Sequence, residues 1–505
     1  MLKRILILLM VVAMILTMLV GCGDKTTDGA PETQERRPPS SRPPKGEEED
    51  DEFDITEILP SYLNYDKKEV TLCVRGDEKA VWEIGLEDDG DALSSELFER
   101  TGRTEERLNV VLAVSQVDGW STYNNAVSSI RNSIMNQQAI YDIIVGLSWR
   151  IPQLASEGLY YNLHSFDYFD ASNIWWSQSL AKELTVNERM FMATGDISID
   201  YMESAHTVFF NQTIAKAMGM DYSTFYQTVS KGEWTFSELY EVSKDGYANL
   251  NGNDFIDDGD QFGLMIQTTM LQAFYTAAGV NLIENNGVDR PAFNVNVTQL
   301  EQVWDGIKVL LDSNATVFYE NNTTGINASF RDYFAEGKAL FMITTLGSLK
   351  SLTDMTDSFG VLPMPKYNEE QTNYYSQLHG CELWSVPMDA KDPDMSAAVM
   401  TSMGYDSHEV VLEPHFEKLL KTRYVKDSES GYMIDTIYYN IYMNFDSIYN
   451  EVLQPGPGFG TKTQMPMFLF GAIANGTYGS ANAWWSANEA GLKLELEDIL
   501  KGFYD

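Results

Sequence analysis

Asn109-Val110-Val111-Leu112-Ala113-Val114-Ser115 has the composition of a buried β-strand, because apolar and β-branched residues run through it almost without a polar break. Similar runs occur at residues 69–74 and 141–145. Helical patterns at residues 92–108 and 123–135 separate the three runs. Apolar strands that alternate with helices predict a mostly parallel sheet covered on both faces. We therefore expect an α/β protein.

The same alternation continues further along the chain. Apolar strand patterns recur at residues 207–211, 262–266, 339–343 and 359–363, and helical patterns dominate the last hundred residues. A chain of 505 residues is long enough to divide into more than one domain.

The N-terminus has the features of a secretory signal. Lys3 and Arg4 precede an apolar run, residues 5–20, and the small residues Gly21 and Cys22 close it. The ending Leu-Val-Gly-Cys resembles the lipobox of bacterial lipoproteins, which implies a signal peptide over 1–21 and lipidation of Cys22. The alternative is an uncleaved anchor, but the run is shorter than the roughly 20 residues that a membrane span needs. We expect a lipid-anchored protein on the outer face of the cytoplasmic membrane.

Residues 22–65 are predicted to form a disordered tether. Prolines and arginines fill residues 36–44 and an acidic run covers 47–52, so little apolar surface is available for a core. The formal charge of the whole chain is −39, which opposes nucleic-acid binding. Cys73 and Cys381 either pair or remain buried thiols, and the sequence leaves both open.

No catalytic motif is evident. His408-Glu409 begins like a zinc-protease helix, but that motif needs a second histidine at position 412, which is Leu. There is also no nucleophile elbow and no glycine-rich phosphate loop. A carboxylate pair for glycoside hydrolysis stays open, because acidic residues are abundant throughout the chain.

One polar loop has the spacing of a calcium site. Oxygen-bearing side chains fall at loop positions 1, 3, 5, 9 and 12, and Phe255 would offer its carbonyl from position 7. The alternative is an Asx turn between a helix and a strand. A bound Ca²⁺ would be structural, and no catalytic cofactor is expected. The side-chain ligands would be Asn249, Asn251, Asn253, Asp257 and Asp260.

Aromatic residues are numerous, with 10 Trp, 27 Tyr and 24 Phe. Most belong to the core by default, but some follow predicted strands, where open α/β sheets bind ligands. Flat aromatic faces suit sugar rings, and neighbouring polar groups suit their hydroxyls. The candidate ligand-binding residues are Trp120, Ser148, Trp149, Asp196, Tyr201, Glu203, Gly347, Ser348, His379 and Trp384.

Several segments in order resemble the family 1 extracellular solute-binding lipoproteins of ABC importers, the sugar-binding group common in Gram-positive bacteria. The resemblance rests on residues 105–110, 141–144, 192–196, 206–211, 233–235, 249–264, 334–339 and 360–365.

This resemblance implies a two-lobed, type 2 periplasmic-binding-protein-like fold with a hinge between the lobes. Lobe 1 would comprise residues 66–200 and 373–425, and lobe 2 residues 201–372 and 426–505. The protein would be a monomeric receptor, not an enzyme, that delivers an oligosaccharide to an ABC permease. Two alternatives remain: a lipid-anchored glycoside hydrolase, and a surface scaffold or sensor without transport.

Overall fold

A computed structural model of the protein describes residues 53–119, 123–257, 259–267, 270–313, 315–318, 330–412, 415, 428–453 and 465–504. The predicted signal peptide, Cys22, most of the predicted tether and Trp120 lie outside these residues. No helix of the described ranges combines the length and apolarity needed to cross a membrane.

The described elements alternate between strands and helices. The strands are β1 (Lys68–Arg75), β2 (Val110–Val117), β3 (Ile143–Leu147), β4 (Thr185–Val186), β5 (Arg189–Met190), β6 (His206–Asn211), β7 (Phe262–Ile266), β8 (Ile283–Glu284), β9 (Ala292–Phe293), β10 (Thr316–Phe318), β11 (Ala339–Thr345), β12 (Phe359–Pro363), β13 (Ser376–Gln377), β14 (Glu382–Ser385) and β15 (Ile441–Tyr442). The helices are α1 (Glu78–Trp82), α2 (Ala92–Leu108), α3 (Tyr123–Met135), α4 (Pro152–Ser156), α5 (Gln178–Leu184), α6 (Ile199–Glu203), α7 (Gln212–Ala217), α8 (Ser223–Ser230), α9 (Phe236–Ser243), α10 (Leu271–Ala277), α11 (Val297–Leu311), α12 (Phe330–Ala335), α13 (Pro393–Asp406), α14 (Ser428–Tyr439), α15 (Phe445–Ile448), α16 (Leu469–Ala474) and α17 (Ala481–Tyr504). A 3₁₀ segment, Leu346–Leu352, follows β11 directly.

The first sheet has the strand order β14-β3-β1-β2. Strand β1 runs parallel to β2 and to β3, whereas β14 runs antiparallel to β3. The three predicted strands of this sheet and the helices 92–108 and 123–135 are confirmed. The prediction of a parallel sheet is therefore correct for this sheet except at its edge strand β14, which lies more than two hundred residues after β3 in the sequence.

The second sheet has the order β10-β7-β11-β6-β12 and is mixed. Strands β10, β7 and β11 are parallel, but β6 is antiparallel to both β11 and β12. Strands β6, β7, β11 and β12 were predicted, whereas the short edge strand β10 was not. Strand direction was not predicted, because strands buried on both faces have the same apolar pattern in either direction.

Each sheet draws its strands from the ranges predicted for one lobe. The first takes β1–β3 and β14, and the second takes β6, β7 and β10–β12. Helix α17 packs against α4, within the range predicted for lobe 1, and also against α11 of the second sheet's layer. The assignment of residues 426–505 to lobe 2 therefore stays a prediction.

Residues 53–65 belong to the folded body, so the predicted tether is wrong for this stretch. Ile55 and Leu59 are buried, and the ring of Phe53 lies 5.3 Å from that of Trp175. Three apolar side chains in a short segment supply the surface that the more polar residues before it lack. Cys73 and Cys381 are both free and buried, and burial raises the pKa of each thiol. The buried-thiol alternative is therefore correct.

Arg100, on α2, ties together three parts of the first lobe. Its fully buried guanidinium donates to the backbone carbonyls of Glu83, Ile84 and Ile197 and to the hydroxyl of Ser407. Burial lowers the pKa of Arg100 to about 10, against the opposing charge of Glu83. The guanidinium thus fixes the turn before α2 next to the segment that leads into α6.

We expect Arg100→Met to lower the free energy of unfolding by about 3–5 kcal/mol, because it leaves several buried carbonyls without donors. Urea denaturation monitored by circular dichroism measures this. Arg103→Met is the matched control: Arg103 lies on the same helix but forms an exposed pair with Glu99, and we expect less than about 1 kcal/mol. Equal losses in the two variants would contradict the structural role of Arg100.

Candidate functional site

A cavity of about 490 Å³ lies between the two sheets. It opens at the carboxyl ends of β1 and β3, at the end of β11 and beside α6, where the chain passes from the first sheet to the second. Ligands in open α/β folds bind at such strand ends. The residues that line the cavity are Arg75, Lys79, Leu147, Asp200, Glu203, Ser204, Arg331, Thr345, Gly347, Ser348, Lys350, Ser351, His379 and Gly380.

Glu203 is the central charge of this cavity. One carboxylate oxygen lies 3.1 Å from Lys79 Nζ and the other lies 2.6 Å from Lys350 Nζ and 3.3 Å from His415 Nε2. Lys79 belongs to α1, next to the first sheet, whereas Lys350 follows β11 of the second. Burial raises the pKa of Glu203, but the hydrogen bond from His415 and the charges of Lys79 and Lys350 outweigh it, so the pKa lies well below its usual value. Glu203 is therefore an ionised link between the two sides.

A second acidic group lies beneath the cavity, at the start of β14. Glu382 is buried, and its carboxylate lies 3.4 Å from the guanidinium of Arg75. Burial raises the pKa of Glu382 to about 8, Asp200 and Glu83 add to this, and Arg75 opposes it. Glu382 is consequently mostly protonated at neutral pH, in contrast to Glu203.

Arg331 supplies a cation from the second lobe. Its guanidinium donates to the hydroxyls of Ser348 at 3.1 Å and Thr344 at 3.3 Å, and it lies 4.8 Å from the ring of Phe330. These contacts orient the planar group along the cavity wall. On the opposite side, His379 Nδ1 lies 2.8 Å from the Gln272 amide nitrogen, and the His379 ring packs edge-on against Trp149.

No family model matches the sequence, and no curated protein matches it. Solved structures do match the fold. A sugar transporter from Rhizobium etli in an open conformation is 13% identical and covers 85% of this chain and 98% of its own, with a TM-score of 0.56. A cyclo/maltodextrin-binding protein complexed with maltotetraose is 11% identical, with coverages of 86% and 98% and a TM-score of 0.54.

A third match is the ABC substrate-binding protein Lmo0181 from Listeria monocytogenes, in complex with cycloalternan. It is 12% identical, with coverages of 87% and 99% and a TM-score of 0.51. The chain has the two-lobed fold of the ABC solute-binding proteins. The resemblance predicted from the sequence is thus confirmed at the level of fold. Most of the matched structures are binding proteins, although one is a designed esterase.

Four of the predicted ligand-binding residues line the cavity of this fold: Glu203, Gly347, Ser348 and His379. Gly347 matters because of its size. A Cβ atom at this position would lie 3.1 Å from the Cβ of Glu203, so a larger residue would require the segment after β11 and α6 to move apart by a few tenths of an ångström.

The other predicted polar residues lie outside the cavity wall. Asp196 is buried between His408 Nδ1, at 2.7 Å, and the hydroxyl of Tyr438. Tyr201 donates to Ser177 at 2.9 Å, and Ser148 accepts from the backbone of Cys381. These contacts hold the backbone around the cavity.

The two predicted tryptophans that the structure describes are not among the residues lining the cavity either. Trp149 is buried beneath His379, and Trp384 lies in the core, where its backbone pairs with Ala193. Trp120 lies outside the described residues. Their roles as ligand contacts stay predictions.

The sequence reasoning missed all four lysine and arginine residues that line the cavity: Arg75, Lys79, Arg331 and Lys350. Arg75 could have been found, because it ends β1 just as Trp149 follows β3. Lys79 lies on α1, about 250 residues before Arg331 on α12 and Lys350 in the 3₁₀ segment after β11. No local pattern signals that they meet.

The loop predicted to bind Ca²⁺ has the hydrogen bonds of successive Asx turns. The side-chain oxygens of Asn251 and Asn253 each accept from the backbone two residues on, and both amide nitrogens donate to Asp257, at 2.7 and 2.6 Å. Asp260 is buried and accepts from Tyr247 at 3.0 Å. No group of three or more acidic, histidine or cysteine side chains arranged for a metal occurs among the described residues. The calcium site remains a prediction.

If the loop binds Ca²⁺, chelation with EDTA should lower the melting temperature, and excess Ca²⁺ should restore it. Asp257→Asn should remove this response because it removes a charged ligand. Asp289→Asn, which changes an exposed acid in another loop, should leave it intact. A melting temperature that EDTA does not change would refute the calcium prediction.

The raised pKa of Glu382 predicts a pH dependence of stability. Between its unfolded value of about 4.5 and its folded value of about 8, the folded protein binds the proton that the unfolded chain releases. The free energy of unfolding therefore decreases as pH rises through this window. Glu382→Gln should reduce the decrease between pH 5.5 and 8.5 by on the order of 2 kcal/mol.

Urea denaturation across that pH range measures the difference. Glu99→Gln, at an exposed position, serves as the control and should follow the wild-type slope. Identical slopes for the wild type and Glu382→Gln would show that Glu382 titrates normally.

Proposed function

We propose that this protein captures a carbohydrate in the cavity between its lobes and delivers it to an ABC importer. The observation that carries the proposal is a cavity walled by both sheets and linked across by Glu203, which pairs with Lys79 on one side and Lys350 on the other. A site assembled from two lobes changes when the lobes move. Such a site can report occupancy to a permease.

The size and chemistry of the cavity support a small polar ligand. Its volume of about 490 Å³ lies within the range of small-molecule sites. Hydroxyls of Ser204, Ser348 and Ser351 offer hydrogen bonds of the kind that sugar hydroxyls need. Structures with this fold hold maltotetraose and cycloalternan.

Ligand binding would act through the hinge. Domain closure around a ligand is a familiar transition in binding proteins of this type, and a ligand favours closure only if it binds the closed state better. In this protein, a single ligand would contact the lining residues of both lobes simultaneously only in the closed state. The permease would then distinguish loaded from empty protein by shape.

One pair of carboxyl groups raises the alternative of a glycoside hydrolase. Glu382 has a raised pKa and Glu203 a lowered one, the kind of split that separates a general acid from a carboxylate partner. A general acid must reach the substrate, however, and Glu382 lies beneath the cavity and outside its lining. The arrangement therefore favours binding without hydrolysis.

The N-terminal sequence supports a location at the membrane surface. We propose that Cys22 carries the lipid anchor and that residues 23–52 tether the folded monomer to the outer face of the cytoplasmic membrane. The anchor would keep the protein close to its permease.

Calorimetric titration with a panel of oligosaccharides tests the proposal. We expect saturable binding of at least one oligosaccharide, with unchanged sugar in the recovered sample. Lys350→Ala should weaken that binding about tenfold or more, since it removes a charged donor from the cavity. Lys308→Ala, which removes a lysine paired with Asp312 on the exposed surface of α11, should leave the affinity unchanged.

Two results would contradict the proposal. Absence of binding across the panel would exclude a carbohydrate receptor, and appearance of shorter sugars during incubation would indicate a hydrolase.

A further inference from the structure

We propose that the carbohydrate bound in this cavity is anionic, and that Lys79, Arg331 and Lys350 bind its acidic groups. The inference rests on the proposed function and specifies its ligand class. The ligand would be an acidic oligosaccharide that carries either the carboxylates of uronic acids or sulfate esters.

The charges of the cavity are layered by depth. The side chains of Lys79 and Lys350 are 44% and 39% exposed, whereas those of their partners Asp200 and Glu203 are only 16% and 5% exposed. The carboxylates therefore lie underneath and the ammonium groups lie at the wall. A ligand that enters the cavity meets the cations first.

The number of cations also stands out against the rest of the chain. The described lining contains four cations, Arg75, Lys79, Arg331 and Lys350, and two acids, Asp200 and Glu203. The whole chain has 35 basic and 74 acidic residues. Excess negative charge on the surface serves solubility, but it does not account for a cavity with the opposite balance.

Glu382 adds little negative charge to offset this balance. Burial, with help from Asp200 and Glu83, raises its pKa to about 8, so at neutral pH it is mostly a neutral acid. Arg75 pairs with Asp77 as well as with Glu382.

Arg331 has the geometry of an anion receptor. A guanidinium carries five donors in a planar fork that matches a carboxylate or a sulfate. Ser348 and Thr344 fix its orientation by accepting two of the hydrogen bonds. The group is therefore positioned before the ligand arrives, which lowers the entropy cost of binding.

The described wall of the cavity offers no ring of Trp, Tyr or Phe. Flat aromatic faces suit neutral sugar rings, and Trp149 lies beneath the lining residue His379. The lining residues offer polar and charged contacts, and their four cations suit an acidic sugar.

The test compares each acidic oligosaccharide with its neutral counterpart. The first set of titrations compares uronate oligomers with the same oligomers after carboxyl reduction. The uronates are galacturonate, mixed mannuronate and guluronate, and glucuronate. The second set compares sulfated oligosaccharides with their desulfated forms. We expect one acidic member to bind at least tenfold more tightly than its neutral counterpart, and its affinity to fall as salt increases. Which pair shows the difference identifies the acidic group as a carboxylate or a sulfate.

Variants of Arg331 test the assignment to this site. Arg331→Gln should lower affinity for the acidic sugar about tenfold or more, and Arg331→Lys should retain part of it because the charge remains. Arg103→Gln, on the exposed face of α2, should bind as the wild type does. Melting curves confirm that each variant is folded.

The outcomes separate this inference from the proposed function. Preferential or equal binding of the neutral sugars, or an affinity that Arg331→Gln leaves unchanged, would overturn the anionic ligand while the carbohydrate receptor stands. Absence of binding by every sugar, neutral or acidic, would overturn both.

Discussion

The carboxylate of Glu203, held between Lys79 and Lys350, is the interaction on which the candidate site depends. A buried carboxylate is costly unless cations compensate it, and here the two cations come from opposite sides of the cavity. The positions of α1, α6 and the segment after β11 are therefore coupled. Gly347 favours this close approach, since a Cβ atom at that position would lie only 3.1 Å from the Cβ of Glu203.

This coupling would connect ligand binding to the relative position of the two lobes. The lysines that compensate Glu203 also form the exposed part of the cavity wall, so an anionic ligand would contact cations already held in place. The lobes would then be joined through the ligand as well as through Glu203. The same groups would serve the stability of the empty site and the recognition of its ligand.

Much of the fold could be predicted from local sequence, because strands 262–266 and 359–363 are apolar runs long enough to be distinct. The reversed direction of β6 and the placement of β14 in the first sheet could not, since both depend on pairing between distant segments. The tether prediction failed at Phe53, Ile55 and Leu59, where a few apolar side chains within a polar stretch are enough to pack on the body.

The site was harder to predict than the fold. Glu203 and His379 were found because they follow recognisable segments, whereas Lys79, Arg331 and Lys350 are three cations among 35 with no distinguishing neighbours. The tryptophans stay untested as ligand contacts, because a Trp beside a strand end has the same local sequence whether it lies in the core, as Trp384 does, or in a cleft.

Hydrogen–deuterium exchange with and without a saturating acidic oligosaccharide tests the central claim most directly. The account predicts slower exchange in residues 75–79, 199–204 and 346–351, the three segments that meet at Glu203. Protection confined to other segments, such as the polar loop 249–260, would show that the ligand binds elsewhere and would contradict the account.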